Sequence, residues 1–273
     1  IKEGYRAHWA CYDGSLRQRL VQEQTLQTDM RQALKEEQFQ VWFQPQYDYR
    51  SGEIIGAEAL VRWVHPEKGL ISPAEFVPVF EKNGFIYDLD RYVWAHACRW
   101  MRGWLDRAGA LPPISVSVNL SRMDVYHPGL VECLRAMLDE YGLPVDYLKL
   151  EITESAYVEM PEQIMETVRR LREVGFTVEM DDFGSGYSSL NTLKDVPVDI
   201  LKLDMKFLSG ENTARGGNIL GSVVRMARWL DLPVVAEGVE TLEQAEYLSS
   251  IGCRYMQGYF FAKPMPAGEF EAL

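Results

Sequence analysis

The sequence predicts an α/β protein built as a (β/α)8 TIM-like barrel whose first strand runs against the others. Short apolar, strand-like runs alternate with helical patterns at intervals of roughly thirty residues, the pattern of a parallel sheet with crossover helices. The first two runs are separated only by Arg50-Ser51-Gly52, which makes them a hairpin. Five carboxylates, Glu58, Glu151, Asp181, Asp182 and Glu237, stand where such runs give out. An open doubly wound sheet is the alternative, but carboxyl ends of strands are where barrel enzymes build their sites, and the recurring acids favour the barrel.

The elements follow in order. Residues 13 to 38 are polar, with Leu16, Leu20, Leu26, Met30 and Leu34 at roughly helical spacing. They read as a leader helix, residues 1–38, packed on its own domain or serving as a dimer contact, ahead of a barrel domain over 39–273. Strands are expected at Val41–Tyr49 and Glu53–Trp63. One long helical stretch runs from Pro73 to Leu105. Further strands fall at Ile114–Val118, Tyr147–Ile152, Phe176–Met180, Ile200–Leu203, Val234–Ala236 and Tyr255–Gln257. Helices between them are expected at Pro128–Tyr141, Pro161–Val174, Gly217–Leu230 and Leu242–Ile251.

Composition narrows the functions. The chain has 273 residues, 47% hydrophobic and 25% charged, ordinary for a globular protein with a real core. No apolar stretch approaches the roughly eighteen residues of a membrane span. A net charge of −12 argues against gripping a DNA or RNA polymer, though not against a small phosphate ligand. Cys11, Cys98, Cys133 and Cys253 form no Cys-x-x-Cys pair, which fits reduced thiols in a cytoplasmic setting.

An apolar run closed by an acid is poor core design, because an unpaired buried carboxylate is costly. Five such endings suggest acids converging on one rim to hold hard cations. Adjacent Asp181 and Asp182 repel each other unless cations lie between them, and Gly184-Ser185-Gly186 after them is a permissive loop. Glu58, Leu60 and Arg62 share one strand face. The acid and the arginine are either a structural ion pair or a cation ligand beside a phosphate clamp. Asn119 is a helix cap or a neutral oxygen ligand. Of Glu151 and Glu154, one can be a ligand and the other a cap or loop anchor. Lys202 sits inside an apolar run, where only an acid-rich surrounding would satisfy it; there it could orient or deprotonate an attacking water. Gln257 closes the last strand with an amide that could position a water. His8, His65, His96 and His127 show no ligand spacing, and oxygen donors without His or Cys favour Mg²⁺ or Mn²⁺ over Zn²⁺. Hydrolysis of a phosphate ester with two cations fits this set.

Together these residues resemble the EAL domain family, bacterial phosphodiesterases of cyclic di-GMP. The resemblance covers about residues 39 to 270 and rests on Glu58-Ala59-Leu60-Val61-Arg62, Val118-Asn119-Leu120-Ser121, Glu151-Ile152-Thr153-Glu154, Asp181-Asp182-Phe183-Gly184, Lys202, Glu237-Gly238-Val239-Glu240-Thr241 and Gln257-Gly258-Tyr259. It implies Mg²⁺- or Mn²⁺-dependent cleavage of cyclic di-GMP to linear pGpG, with two cations per site and Ca²⁺ inhibitory. By resemblance, Glu58, Asn119, Glu151 and Asp181 ligate one cation, Asp181 bridges to a second near Asp182, and Glu237 ligates or assists deprotonation. Lys202 holds the attacking water and Gln257 orients it. Gln44, Leu60 and Arg62 contact substrate, and Glu154 anchors the loop after Asp182, near a homodimer interface. The leader resembles the junction after a GGDEF-type domain, implying an upstream cyclase or sensory domain; the sequence leaves open whether the parent is membrane-anchored. Glu179 departs from the family pattern: a second acid on the Asp181 face would perturb cation affinity or pair with a Lys or Arg. The rival to an active enzyme is a catalytically silent cyclic di-GMP receptor; a dimerising scaffold is the third reading.

Overall fold

A computed structural model of the chain describes residues 14–107, 114–159, 161–184, 197–205 and 213–273. The chain opens with helix α1 (Gly14–Lys35), strands β1 (Phe39–Asp48), β2 (Ile54–His65) and β3 (Gly69–Ile71), and helices α2 (Pro73–Asn83) and α3 (Ile86–Arg107). Then come β4 (Ser115–Asn119), α4 (Arg122–Val125), α5 (Leu130–Tyr141), β5 (Leu148–Thr153), α6 (Glu154–Glu159), α7 (Pro161–Val174), β6 (Thr177–Phe183) and β7 (Ile200–Asp204). The chain ends with α8 (Thr213–Trp229), β8 (Val234–Glu237), α9 (Leu242–Ser250), β9 (Tyr255–Met256), β10 (Met265–Pro266) and α10 (Ala267–Phe270).

Eight of these strands close into the expected barrel. β2 pairs in parallel with β4, and β4 through β9 continue in parallel in sequence order. β1 closes the ring, antiparallel to β9 and paired with β2. Its reversed direction follows from the hairpin: Gly52 turns at φ 75°, and the Asp48 N–H donates to the Glu53 carbonyl at 2.9 Å. Along the parallel strands the residues alternate. Val116, Val118, Leu148, Leu150, Val178, Met180 and Leu201 are fully buried in one apolar cluster with the helices, while the intervening positions carry the polar side chains of the barrel interior. Phe43 stacks on Trp100, with ring centroids 4.2 Å apart, and Phe270 meets the same indole edge-on.

By its contacts the chain falls into two units. One unit takes Ile1–Gln40 with Arg62–Phe85; the other takes Val41–Val61 with Ile86–Leu273 and carries the barrel. In the smaller unit α1 buries Leu26, Met30 and Ala33, while Asp29 meets Lys68 at 3.2 Å and Glu23 meets Lys82 at 3.5 Å. Phe39, Trp63, Phe76, Phe80 and Phe85 form its aromatic core. The single helix expected from Pro73 to Leu105 is two. Gly84 adopts the left-handed conformation at φ 80° and ends α2, and the Asn83 side chain accepts the Phe85 N–H. No helix among the described residues is long and apolar enough to cross a membrane.

Gly258, beyond β9, is the tightest backbone approach in the barrel unit: a Cβ there would lie 2.2 Å from the Val239 carbonyl oxygen. Gly258→Ala is expected to cost about 1–3 kcal/mol or more, read as a lower urea midpoint; an unchanged midpoint would show that the Val239 turn can give way.

Candidate active site

Lys202 lies in the middle of β7 with none of its surface exposed. The Ile200–Asp204 run predicts burial on both sides of a parallel strand, so the ammonium must find its partners inside the barrel. It finds four. Its Nζ donates to Glu151 Oε1 at 2.6 Å. It also stands 2.6 Å from Glu237 Oε1, an ion pair out of hydrogen-bond alignment, 3.4 Å from Asp181 Oδ1 and 3.6 Å from Glu58 Oε2. These acids come from β8, β5, β6 and β2. Four of the five acids singled out in the sequence thus converge on one point.

Carboxylates outnumber the ammonium four to one, and the electrostatics show it. Burial, then the charge of Glu58, pushes the Glu151 carboxyl well above the usual carboxylate range. Burial likewise raises Glu237, with Asp181 and Glu58 adding to the effect. Burial alone would lower the Lys202 ammonium, but Asp181, Glu151, Glu237 and Glu58 override it and raise it well above its ordinary value. Lys202 therefore stays charged.

Asp182 is held differently. β6 slips register between Met180 and Phe183, and Asp182 takes φ 56° with its N–H on Asp181 Oδ1 at 2.8 Å. A bulge of this kind re-aims side chains at a strand end, so the adjacent acids do not lie side by side in the ring. Asn119 ends β4 as the register partner of Glu151, and its carbonyl accepts the Trp94 indole N–H at 3.1 Å. Gln257 lies in the same cluster: its amide donates to Glu58 Oε2 and, at 3.1 Å, to Gln44 Oε1. Gln44 in turn donates to the Ala262 carbonyl. Gln257 therefore braces Glu58, and Gln44 holds Gln257. Glu154 opens α6, almost fully buried, and its Oε2 accepts the Gly184 N–H at 3.1 Å, tying down the first residue of the loop after β6. The rest of that loop, from Ser185, lies outside the described residues. Leu60 follows Glu58 by two positions on β2, on the same strand face. Arg62, two further on, falls in the smaller unit.

Two further residues belong here. Asp204 is buried on the Lys202 face of β7, in register with Glu237; the Lys-Leu-Asp spacing was its signal. Glu179 has no exposed surface. Its Oε2 accepts the Ser117 hydroxyl at 2.8 Å, and Lys149 approaches Oε1 at 3.4 Å. Of the two fates open to Glu179, pairing with a lysine is the one observed. Cys98 and Cys253 play no part: burial pushes both thiols up to about 12, which leaves them inert.

The donor set suits a hard divalent cation. It is all oxygen, in excess negative charge, and Glu151 Oε2 and Gln257 Oε1 are buried with no partner. As the side chains stand, no three acidic, His or Cys groups among the described residues are spaced to hold a metal ion; the carboxylates turn to the ammonium instead.

The EAL domain family profile matches residues 27–264. The chain belongs to the EAL domain family. It is 37% identical over 272 residues to the bifunctional diguanylate cyclase/cyclic di-GMP phosphodiesterase MucR of Pseudomonas aeruginosa, covering 99% of this chain and 39% of that protein. It is 35% identical to the cyclic di-GMP phosphodiesterase PdeR of Escherichia coli, covering 99% and 40%. It is 39% identical to NbdA of Pseudomonas aeruginosa, named a cyclic di-GMP phosphodiesterase, covering 93% and 32%. The chain thus spans two fifths or less of these relatives' lengths. Among solved structures, the PaMucR phosphodiesterase in its c-di-GMP complex superposes with a TM-score of 0.84 at 39% identity, covering 90% of this chain and 99% of that one. The EAL enzyme Bd1971 in its cAMP- and cyclic-di-GMP-bound form gives 0.84 at 28% identity, covering 92% and 68%. An EAL barrel is therefore both the family and the fold.

A carboxyl whose folded-state pKa is raised contributes stability at low pH that is lost as pH climbs through the raised value. Without divalent cations the protein is expected to melt at lower temperature as pH rises above the ordinary carboxylate range, and Glu151→Gln to flatten that decline and melt higher at neutral pH. Thermal scans across pH in a chelator check this; parallel curves for the two proteins would place the excess charge elsewhere.

Proposed function

We propose that this domain is a divalent-cation-dependent phosphodiesterase that hydrolyses one phosphodiester of cyclic di-GMP to give linear pGpG. What carries this is the convergence of Glu58, Glu151, Asp181 and Glu237 on Lys202 within a barrel of the EAL family. Relatives named as cyclic di-GMP phosphodiesterases support the substrate. Bound Mg²⁺ or Mn²⁺, two per site, would supply Lewis acidity, lowering the pKa of water and offsetting charge on the phosphate. Glu58, Asn119, Glu151 and Asp181 would hold one ion. Asp181 would also reach the second, beside Asp182, and Glu237 would ligate directly or through water.

The chain's own residues do the rest. As carboxylates turn to cations, the Lys202 ammonium gains donors free to hold the attacking water. The unpartnered Gln257 Oε1 accepts from that water and orients it. Glu237, at the end of β8 and 2.6 Å from the Lys202 ammonium, receives a proton as the water attacks. Gln44, Leu60 and Arg62 contact the dinucleotide, the guanidinium suiting a phosphate. A homodimer, an upstream GGDEF-type or sensory domain and a cytoplasmic setting belong to the same proposal; the longer, bifunctional MucR supports the upstream domain.

A catalytically silent cyclic di-GMP receptor is the second reading, favoured by the absence of any ready metal grouping among the described residues. Incubation with cyclic di-GMP separates the two. The enzyme yields pGpG only when Mg²⁺ or Mn²⁺ is added; cation-dependent binding without product means the receptor. Glu58→Ala and Lys202→Ala are each expected to lower turnover roughly a hundredfold or more, the first also weakening Mn²⁺ binding. Unchanged rates would remove these residues from the chemistry. Ca²⁺ is expected to compete with Mg²⁺ and inhibit, because its larger, looser shell misplaces the water; activation by Ca²⁺ would contradict that geometry.

A further inference from the structure

One polar tie crosses the barrel interior beside the carboxylate ring and has no partner in the chemistry above. Ser117 on β4, Lys149 on β5 and Glu179 on β6 join three adjacent strands through Glu179, at 2.8 Å from the Ser117 hydroxyl and 3.4 Å from the Lys149 ammonium. Each of the three lies two residues before a residue assigned to the cation, namely Asn119, Glu151 and Asp181, and therefore on the same strand face. Glu179 is also the register partner of Glu151 across β5 and β6. Its carboxylate thus abuts one proposed ligand sideways and another along its own strand.

Stability does not account for this tie. Replacing a buried ion pair by apolar residues of similar volume is often neutral or stabilising, and apolar side chains fill interior layers of barrels readily. Its consequence is electrostatic and geometric. A fully buried negative charge stands next to Glu151, with its compensating ammonium held on the β5 side of the tie, where Lys149 retains a little exposure.

We infer that Glu179 is a positioning residue for the cation site, clamped by Lys149 and Ser117 so that β4, β5 and β6 present Asn119, Glu151 and Asp181 in fixed register over a compensated buried charge. This rests on the phosphodiesterase proposal above. Outer groups that orient and charge-balance ligands tune metal affinity even though they never touch the metal. Glu179→Gln keeps the shape and an oxygen for Ser117, but leaves the Lys149 ammonium uncompensated beside the ligands. Removing both charges, in Lys149→Met with Glu179→Gln, restores the balance.

Mn²⁺ titration followed by the paramagnetic resonance of free Mn²⁺, without substrate, tests this beside urea unfolding of the same proteins. Glu179→Gln is expected to weaken Mn²⁺ binding roughly tenfold with little change in KM for cyclic di-GMP at saturating Mn²⁺, while its urea midpoint falls because one partner of the buried pair is left alone and recovers in the double variant. The double variant is expected to regain most of the affinity. Equal Mn²⁺ affinity in the wild type and Glu179→Gln overturns the inference and leaves the cation site intact. A double variant as weak as the single one overturns the charge-balance role. A wild-type protein that takes up no Mn²⁺ sinks the cation site and this inference together.

Discussion

The structure depends on a buried ammonium. Lys202 is sealed inside the barrel, where an isolated charge would cost tens of kcal/mol by idealised solvation. The fold is tenable only because four carboxylates from four other strands arrive within 3.6 Å of it. That requirement reaches outward. β2, β5, β6 and β8 must each bring an acid to the same height around β7, Glu58 from the middle of its strand, and only a closed ring of strands in fixed register does this. The apolar layer between barrel and helices, Val116 through Leu203 and their helical neighbours, keeps those registers from slipping.

The same ring overshoots neutrality. With more acids than Lys202 can satisfy, Glu151 and Glu237 hold protons more tightly than free carboxylates do, and Glu151 Oε2 is left without a partner. A site built for stability alone would carry one or two acids around one lysine. The surplus leaves the ring with excess negative charge, while Gln257 braces Glu58, Gln44 holds Gln257 and Glu154 tethers the loop entrance at Gly184. Such bracing suits the preorganised ligand set proposed above.

The smaller unit obeys different physics. Its polar helix α1 buries only Leu26, Met30 and Ala33 among the described side chains with apolar cores, and ion pairs at Asp29 and Glu23 supplement them. Exposed pairs of this kind contribute little each. The Phe39–Trp63–Phe76–Phe80 cluster carries the packing there.

Much of the barrel was legible in the chain itself, because strand period, hairpin spacing and an acid at the end of an apolar run are local patterns. Glu58, Glu151, Asp181 and Glu237 announced themselves that way, and Lys202 did so by standing where no unpaired ammonium can. Local pattern did not reveal the break at Gly84, because helical periodicity runs on through Phe85 and Ile86 while only a left-handed backbone angle interrupts it. Nor did it reveal the bulge at Asp182, that Gln257 joins Glu58 to Gln44, or that Glu179 meets Lys149. Those outcomes belong to strands far apart along the chain, by as much as 213 residues for Gln257 and Gln44. The amino-acid order determined which strands and which acids exist; the closed register of the barrel decided which acid faces which base, because contacts across strands are set by pairing and not by spacing along the chain.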